Sequence, residues 1–257
     1  MTSTSHPDMT SSTPLPNPPR PPSEFDDYAP QYNAGMEIGV KRLLGPSALL
    51  FLEQKLEILL AEMRRAPHLP PTALRHLDFG CGAGDFLSLI ARRHLGWSSE
   101  GCDISDGMLD ETRRRWGSAL SDVPLWRILP DSFPTARFHL ITAVCVFHHI
   151  PPAEWIQTLQ RLRAALLPGG LLALFEHNPW NPLTRFIVRR TKIDQNAVLL
   201  SPPVARRHIA AAGFAPPRSR FFLFAPPRFK RLWPAEALLA HIPLGGQYAL
   251  FAPRDPS

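Results

Sequence analysis

The sequence predicts an α/β protein built on a doubly wound sheet, and three observations carry that expectation. Strand-like apolar runs alternate with helical segments from Leu74 onward, a glycine turn joins the first run to a helix, and polar residues gather where the runs end. Alternation of this kind implies parallel pairing through right-handed crossovers, with helices on both faces. Ligands of such sheets sit beyond the carboxyl ends of the strands. Chemistry-bearing residues should therefore fall there.

Residues 1–24 are rich in Ser, Thr and Pro, with few large apolar side chains, and are expected to be disordered. Order is expected from Phe25 and Tyr28. Leu49, Leu52, Leu56, Leu59, Leu60 and Met63 recur at helical spacing among Glu53, Lys55, Glu57 and Glu62, which predicts an amphipathic helix over Ser47–Arg64. Leu74–Phe79 reads as the first strand, Asp85–His94 as a helix, and a second strand ends at Gly101-Cys102-Asp103. A helix over Met108–Leu120 precedes a third strand, Leu125–Leu129, and a fourth, Leu140–Phe147, that closes on His148-His149. Trp155, Leu159, Leu162 and Leu166 mark a helix face that Pro168-Gly169-Gly170 should terminate. Leu171–Phe175 is the fifth strand, followed by a helix over Pro203–Ala212 and two last strands, Ser219–Phe224 and Gln247–Phe251.

At 257 residues, 44% hydrophobic and 19% charged, the chain suits one large globular domain. Cys81, Cys102 and Cys145 show no CxxC spacing, so neither a disulfide framework nor a metal site is predicted, and reduced thiols in a cytoplasm are the simplest reading. The longest apolar stretch, Ala164–Phe175, is too short to span a bilayer, and the first residues hold no signal-like core. The net charge of +6 is uneven: eleven Lys or Arg and a single acid, Asp194, lie between Leu183 and Pro234. Such a block either steers an anionic acceptor or nucleic acid, or is an ordinary solvated surface.

The turn Gly80-Cys81-Gly82-Ala83-Gly84 is preceded by Asp78 and followed, nineteen residues after Gly84, by Asp103. Glycines there admit positive φ and close approach of a ligand, and the exposed N–H groups can receive an anionic group. An acid ending the second strand can accept hydrogen bonds from both hydroxyls of a ribose. The spacing G-x-G-x-G differs from the G-x-G-x-x-G of dinucleotide folds, which argues against a nicotinamide-dependent oxidoreductase.

Leu77–Gly84 together with Gly101-Cys102-Asp103 resembles the first two motifs of the class I S-adenosylmethionine-dependent methyltransferases, small-molecule branch. The likeness continues through Thr142–Ile150 and Leu166–Gly170, over roughly residues 25–252. It implies a Rossmann-like, mostly parallel sheet with an antiparallel last strand in a single domain (67–257), behind an N-terminal helical lid (25–66). It also implies S-adenosylmethionine as cofactor, with Asp78, Gly80, Cys81, Gly82 and Gly84 around its methionine and ribose portions. Asp103 would hold the ribose, Ile104 would pack on adenine, and Cys145 and Val146 would lie beneath. Phe25, Tyr28 and Tyr32 resemble the aromatic segment that closes over the site in relatives. The family's usual acid after the third strand is replaced here, Asp131 coming late, and the acid that opens the fourth strand is His139.

A sulfonium is already an activated electrophile, so the protein chiefly aligns the acceptor and excludes water. His149, and less so His148, is the candidate base for an acceptor that carries a proton; either ring could instead simply bond its loop. Phe175-Glu176-His177-Asn178-Pro179-Trp180-Asn181-Pro182-Leu183-Thr184-Arg185 after the fifth strand is a candidate acceptor pocket, or a proline-stiffened loop with capping side chains. The expected activity is methyl transfer to a small, plausibly anionic molecule. An RNA acceptor, or a non-catalytic cofactor-binding relative, is the rival.

Overall fold

The computed structural model describes residues 24–26, 48–66, 69–70, 72–129, 132–226 and 228–256. Tyr28, Tyr32, Asp131 and the tail before Glu24 lie outside the described residues.

Seven strands form one sheet: β1 (Arg75–Phe79), β2 (Ser98–Asp103), β3 (Leu125–Arg127), β4 (Phe138–Val144), β5 (Leu166–His177), β6 (Arg218–Phe222) and β7 (Gln247–Pro253). Their order is β3-β2-β1-β4-β5-β7-β6. The first five pair in parallel, while β7 runs antiparallel to both β5 and β6. The helices are α1 (Ala48–Met63), α2 (Asp85–Arg92), α3 (Asp106–Trp116), α4 (Trp155–Ala165), α5 (Pro182–Val188), α6 (Pro202–Ala211) and the single turn α7 (Trp233–Glu236). This is the predicted doubly wound class, with the antiparallel last strand.

The two-residue period of the strands divides the core. Tyr248, Leu250 and Ala252 of β7, with Leu172 and Leu174 of β5, face the cluster that includes Trp155, Leu159 and Ile209 of α4 and α6. Ala249 and Phe251, with Leu171, Ala173 and Phe175, face the other cluster, which includes Leu56 and Leu59 of α1 and Phe86 of α2. Burial on both faces explains why β4 and β5 read as continuous apolar runs rather than alternating ones.

Most element boundaries differ from the sequence reading by a few residues, and around β4 and β5 the differences have local reasons. The helix α4 ends at Ala165 before the Pro-Gly-Gly segment, and strand pairing begins at once, Phe138 against Leu166. Pro168-Gly169-Gly170 forms a bulge inside β5, after which the register resumes at Leu140 against Leu171. The strand β4 stops at Val144 because Cys145 takes φ +58°, and His148-His149 sit on a 3-10 turn beyond it. In α1, Gln54, Lys55 and Glu62 are buried, so the face that reads as polar is covered.

Candidate active site at the carboxyl ends of the strands

The glycine turn, Asp103, Cys145–His149 and Glu176–Asn178 all follow the carboxyl ends of parallel strands, β1, β2, β4 and β5 respectively. Two halves meet there, one over β1 and β2 and one over β4 and β5.

The first half is made largely of main chain. Gly80 and Cys81 both donate N–H bonds to the Cys102 carbonyl, at 2.8 and 3.0 Å. Gly82 N–H donates to Asp103 Oδ2 and Ser105 N–H to Asp103 Oδ1, each at 2.9 Å. Two backbone donors thus orient both oxygens of one carboxylate. Burial raises the Asp103 pKa, and the N–H groups of Ser105 and Gly82 oppose that shift. Gly80 has φ +68°, and a Cβ there would lie 2.6 Å from a Val146 methyl, so only glycine lets Val146 close against the turn. The Thr112 hydroxyl and the Trp116 indole N–H donate to the carbonyls of Gly82 and Ala83, both at 2.8 Å, fastening the turn to α3.

Beneath this turn runs a buried polar chain from β1 to β4. The Thr142 hydroxyl donates to Asp78 Oδ1 at 2.7 Å, and His76 lies between Thr142 Oγ1 (2.9 Å) and Ser99 Oγ (3.1 Å). Burial pushes the Asp78 pKa up to about 7 and the His76 pKa down to about 3. The Cys81 side chain is buried in a cluster with Leu87, Leu109 and Leu120. Its main chain is what faces the turn. Ile104, by contrast, is 52% exposed beside Asp103.

The second half is made of side chains. Buried Glu176 accepts N–H bonds from Val146 (3.1 Å) and Phe147 (2.7 Å), and His148 Nδ1 at 2.6 Å. His148 Nε2 and His149 Nε2 both face Asp194 Oδ1, at 3.5 and 3.4 Å. Burial alone would lower the His148 pKa, but the negative charges of Glu176 and Asp194 hold it well above its usual value. Burial and the neighbouring His148 charge bring His149 down to about 4. Desolvation and the same charge also lower partly buried His177 to about 4, and its Nδ1 lies 3.3 Å from Gln247 Nε2. Lys55, buried on α1, has its pKa lowered by desolvation and partly restored by Cys145 and Glu176.

Asp194 also lines a cavity of about 580 Å³, together with Pro179, Arg185, Arg189, Gln195 and Leu199. No acid among the described residues forms an ion pair with Arg185 or Arg189. Residues 24–26 join the halves. Asp26 Oδ1 accepts the Ser105 hydroxyl (2.5 Å) and Gly107 N–H (3.0 Å), while the Phe25 ring meets His149 edge-on at 5.1 Å.

The structure therefore brings Asp78, Gly80, Gly82, Gly84, Asp103, Ile104 and Val146 around one turn, and His148 and His149 around Asp194. Cys145 lies toward the second half, 3.9 Å from the Gln247 amide nitrogen. Within the expected acceptor loop, Asn178 donates to the carbonyls of Pro243 and Gly245, and Asn181 caps α5 through Thr184 N–H. These two side chains hold the loop. His139 is at the opposite end of β4, accepting Arg75 N–H at 3.1 Å, well away from the cofactor turn. Sequence reasoning missed Lys55 and Asp194. The only signal for Asp194 was its being the lone acid in a basic stretch.

Comparisons with known proteins bear on this arrangement. Residues 77–172 match the family described as a methyltransferase domain. A trans-aconitate 2-methyltransferase of Variovorax paradoxus is 38% identical over 107 residues, 40% of this chain and 39% of that protein. One from Methylobacterium nodulans is 31% identical over 151 residues, 58% and 53% of the two chains. The matches thus span about two fifths to one half of those relatives. Among solved structures, phosphoethanolamine N-methyltransferase 2 of Haemonchus contortus, in complex with S-adenosyl-L-methionine, superposes with a TM-score of 0.60 at 17% identity, covering 91% of this chain and 60% of that one. A methyltransferase from Archaeoglobus fulgidus gives 0.56 at 18%, covering 84% and 97%. At these identities the likeness is one of fold.

Proposed function

From the match of residues 77–172 to a methyltransferase domain, we propose that the protein belongs to the class I S-adenosylmethionine-dependent methyltransferases, binds S-adenosylmethionine and moves its methyl group to a small anionic acceptor. The observation that carries the reading is Asp103, whose two oxygens are aimed by the N–H groups of Gly82 and Ser105 beside a turn of positive-φ glycines. The residues fit such a ligand. Gly80 keeps open a cradle that a Cβ would fill, the Asp103 carboxylate retains lone pairs for two vicinal hydroxyls, and half-exposed Ile104 offers an apolar face for a purine.

S-adenosylmethionine supplies the activated methyl when bound. This chain's residues supply alignment and exclusion of water. Asp103 and the glycine turn hold the adenosyl portion, with Asp78 and Val146 beneath, and Phe25 and Asp26 close the top as part of the N-terminal lid. The acceptor lies toward His149 and the cavity edged by Arg185 and Arg189, whose guanidinium groups suit a carboxylate. The relatives named for trans-aconitate favour the same chemical class. A carboxylate carries no proton to remove, so on this reading His149 orients the acceptor, and His148, buried behind it, is a positioning residue.

Among the described residues no helix is long and apolar enough to cross a membrane. The three free thiols suit a reducing compartment, which favours the cytoplasm. Titration calorimetry with S-adenosylmethionine, S-adenosylhomocysteine and NAD, then a labelled-methyl assay on di- and tricarboxylates beside total RNA, tests the reading. Heat with the first two ligands and label in a small acid are expected. Absence of binding, or label in RNA alone, would overturn it.

A further inference from the structure

We propose that His148, His149 and Asp194 form a binding site for one divalent transition-metal ion, with zinc the best match. Spacing along the chain does not reveal it, because two ligands are adjacent and the third is far along the chain.

The geometry is that of convergent ligands. Asp194 Oδ1 stands 3.5 Å from His148 Nε2 and 3.4 Å from His149 Nε2, and the three residues offer ligand atoms that all lie within 4.8 Å of one another. Both distances exceed a good N–H···O hydrogen bond. They match the roughly 3.4 Å edge between ligand atoms bound tetrahedrally at about 2.1 Å from one zinc.

The surroundings are also those of a metal site. His148 Nδ1 is fixed by buried Glu176 at 2.6 Å, leaving Nε2 as its ligand atom, and Glu176 is itself anchored by two backbone N–H groups. A carboxylate behind a ligating histidine, holding its tautomer and ring orientation, is a common support for zinc. Two imidazoles and a carboxylate suit zinc, iron, nickel or cobalt better than magnesium or calcium. Three protein ligands leave a position open, as in sites that bind a further molecule rather than purely structural ones.

That open position adjoins the cavity, since Asp194 is part of its wall and His149 is only partly buried. An acceptor oxygen could occupy it. This last step rests on the proposed methyl transfer, whereas the cation site itself does not.

The test therefore uses the full chain, stripped with chelator, without cofactor or acceptor. Cobalt(II) is titrated while its visible ligand-field bands are recorded, and zinc is then titrated by calorimetry. One ion per chain is expected, with the intense bands of low coordination number. His149→Ala and Asp194→Asn should weaken binding about 100-fold or more, and Glu176→Gln about 10- to 100-fold. His139→Ala, at the far end of β4, should change nothing. If Asp194→Asn fails to fold by circular dichroism, His149→Ala alone decides, because its ring is partly exposed. Lack of stoichiometric binding in folded protein, or binding that survives both ligand substitutions, would overturn the site. Loss of S-adenosylmethionine binding with the metal result intact would overturn only the proposed function.

Discussion

The half of the site over β1 and β2 is written in backbone, while the half over β4 and β5 is written in side chains. In the first, main-chain N–H groups of the glycine turn and of Ser105 donate to the Cys102 carbonyl and to Asp103, and these contacts fall within residues 80–105. In the second, residues 55, 145–149, 176–177 and 194 meet through buried carboxylates and rings. A ligand common to many enzymes can be held by a turn whose geometry any compatible side chains permit. An acceptor particular to one enzyme needs side chains gathered from distant elements. The two halves should accordingly fail separately when altered.

The largest separation is expected from Asp103→Ala. It removes the group that orders Gly82 and Ser105 N–H and, on the proposed function, receives the ribose, two sets of charge-assisted bonds together worth about 100-fold or more in affinity. Calorimetry with S-adenosylhomocysteine should show that loss, with the ring environment of His148 and His149 unchanged by NMR. An undiminished affinity would break the assignment of this half.

The mirror experiment is Glu176→Gln. The Glu176 carboxylate is wholly buried and, in the metal-free chain, faces a protonated His148, so removing its charge there leaves that imidazolium one partner short. Breaking such a buried pair costs about 3 kcal/mol, read as a lower midpoint in urea unfolding. Cofactor affinity should stay where it was. A parallel fall in both quantities would mean that the halves are one cooperative unit.

The same division explains what could be read in the sequence. Gly80 to Gly84 and Asp103 lie in one β-α-β unit, where spacing along the chain nearly equals placement in space, so the cofactor half is legible from its spacing and its resemblance to relatives. The sheet class was legible too, since apolar runs that alternate with helical segments imply parallel strands joined by crossovers. Asp194 stands out only as the lone acid of a basic stretch, and what it meets is not legible until the 3-10 turn of residues 192–194 returns it to His148. Lys55 was misread for a related reason. Its helix shows charged residues at several positions, and only the sheet end beneath decides which of them is buried. Pro168-Gly169-Gly170 suits a helix stop as well as a strand bulge, and the pairing of Leu166 with Phe138 decides for the bulge.

A pH profile sharpens the comparison from within the first half. Buried Asp78 keeps its proton up to about pH 7, against a usual 3.8, so between those values the folded state binds more protons than the unfolded chain. Stability of the free protein should therefore decline as pH rises through that window. A sulfonium and an ammonium arriving nearby favour the ionised form, so cofactor affinity should fall as pH drops below about 7, by at most tenfold per unit. Asp78→Asn should flatten both profiles. An unchanged pH slope in that variant would place the cofactor's charge elsewhere.

The smallest effects belong to the bridge between the halves, and they divide most finely. Phe25 meets His149 edge-on, a contact worth about 0.5 to 1.5 kcal/mol, so Phe25→Ala should raise the acceptor KM about two- to tenfold. The cofactor Kd should move less, because Asp26 still receives Ser105 and Gly107. Asp26→Ala should do the reverse, freeing two donors beside Asp103 and weakening the cofactor more than the acceptor. Opposite responses at neighbouring positions require residues 24–26 to touch both halves at once. Equal responses would mean that the segment acts only as a cover, closing or opening the whole crevice without favouring either ligand.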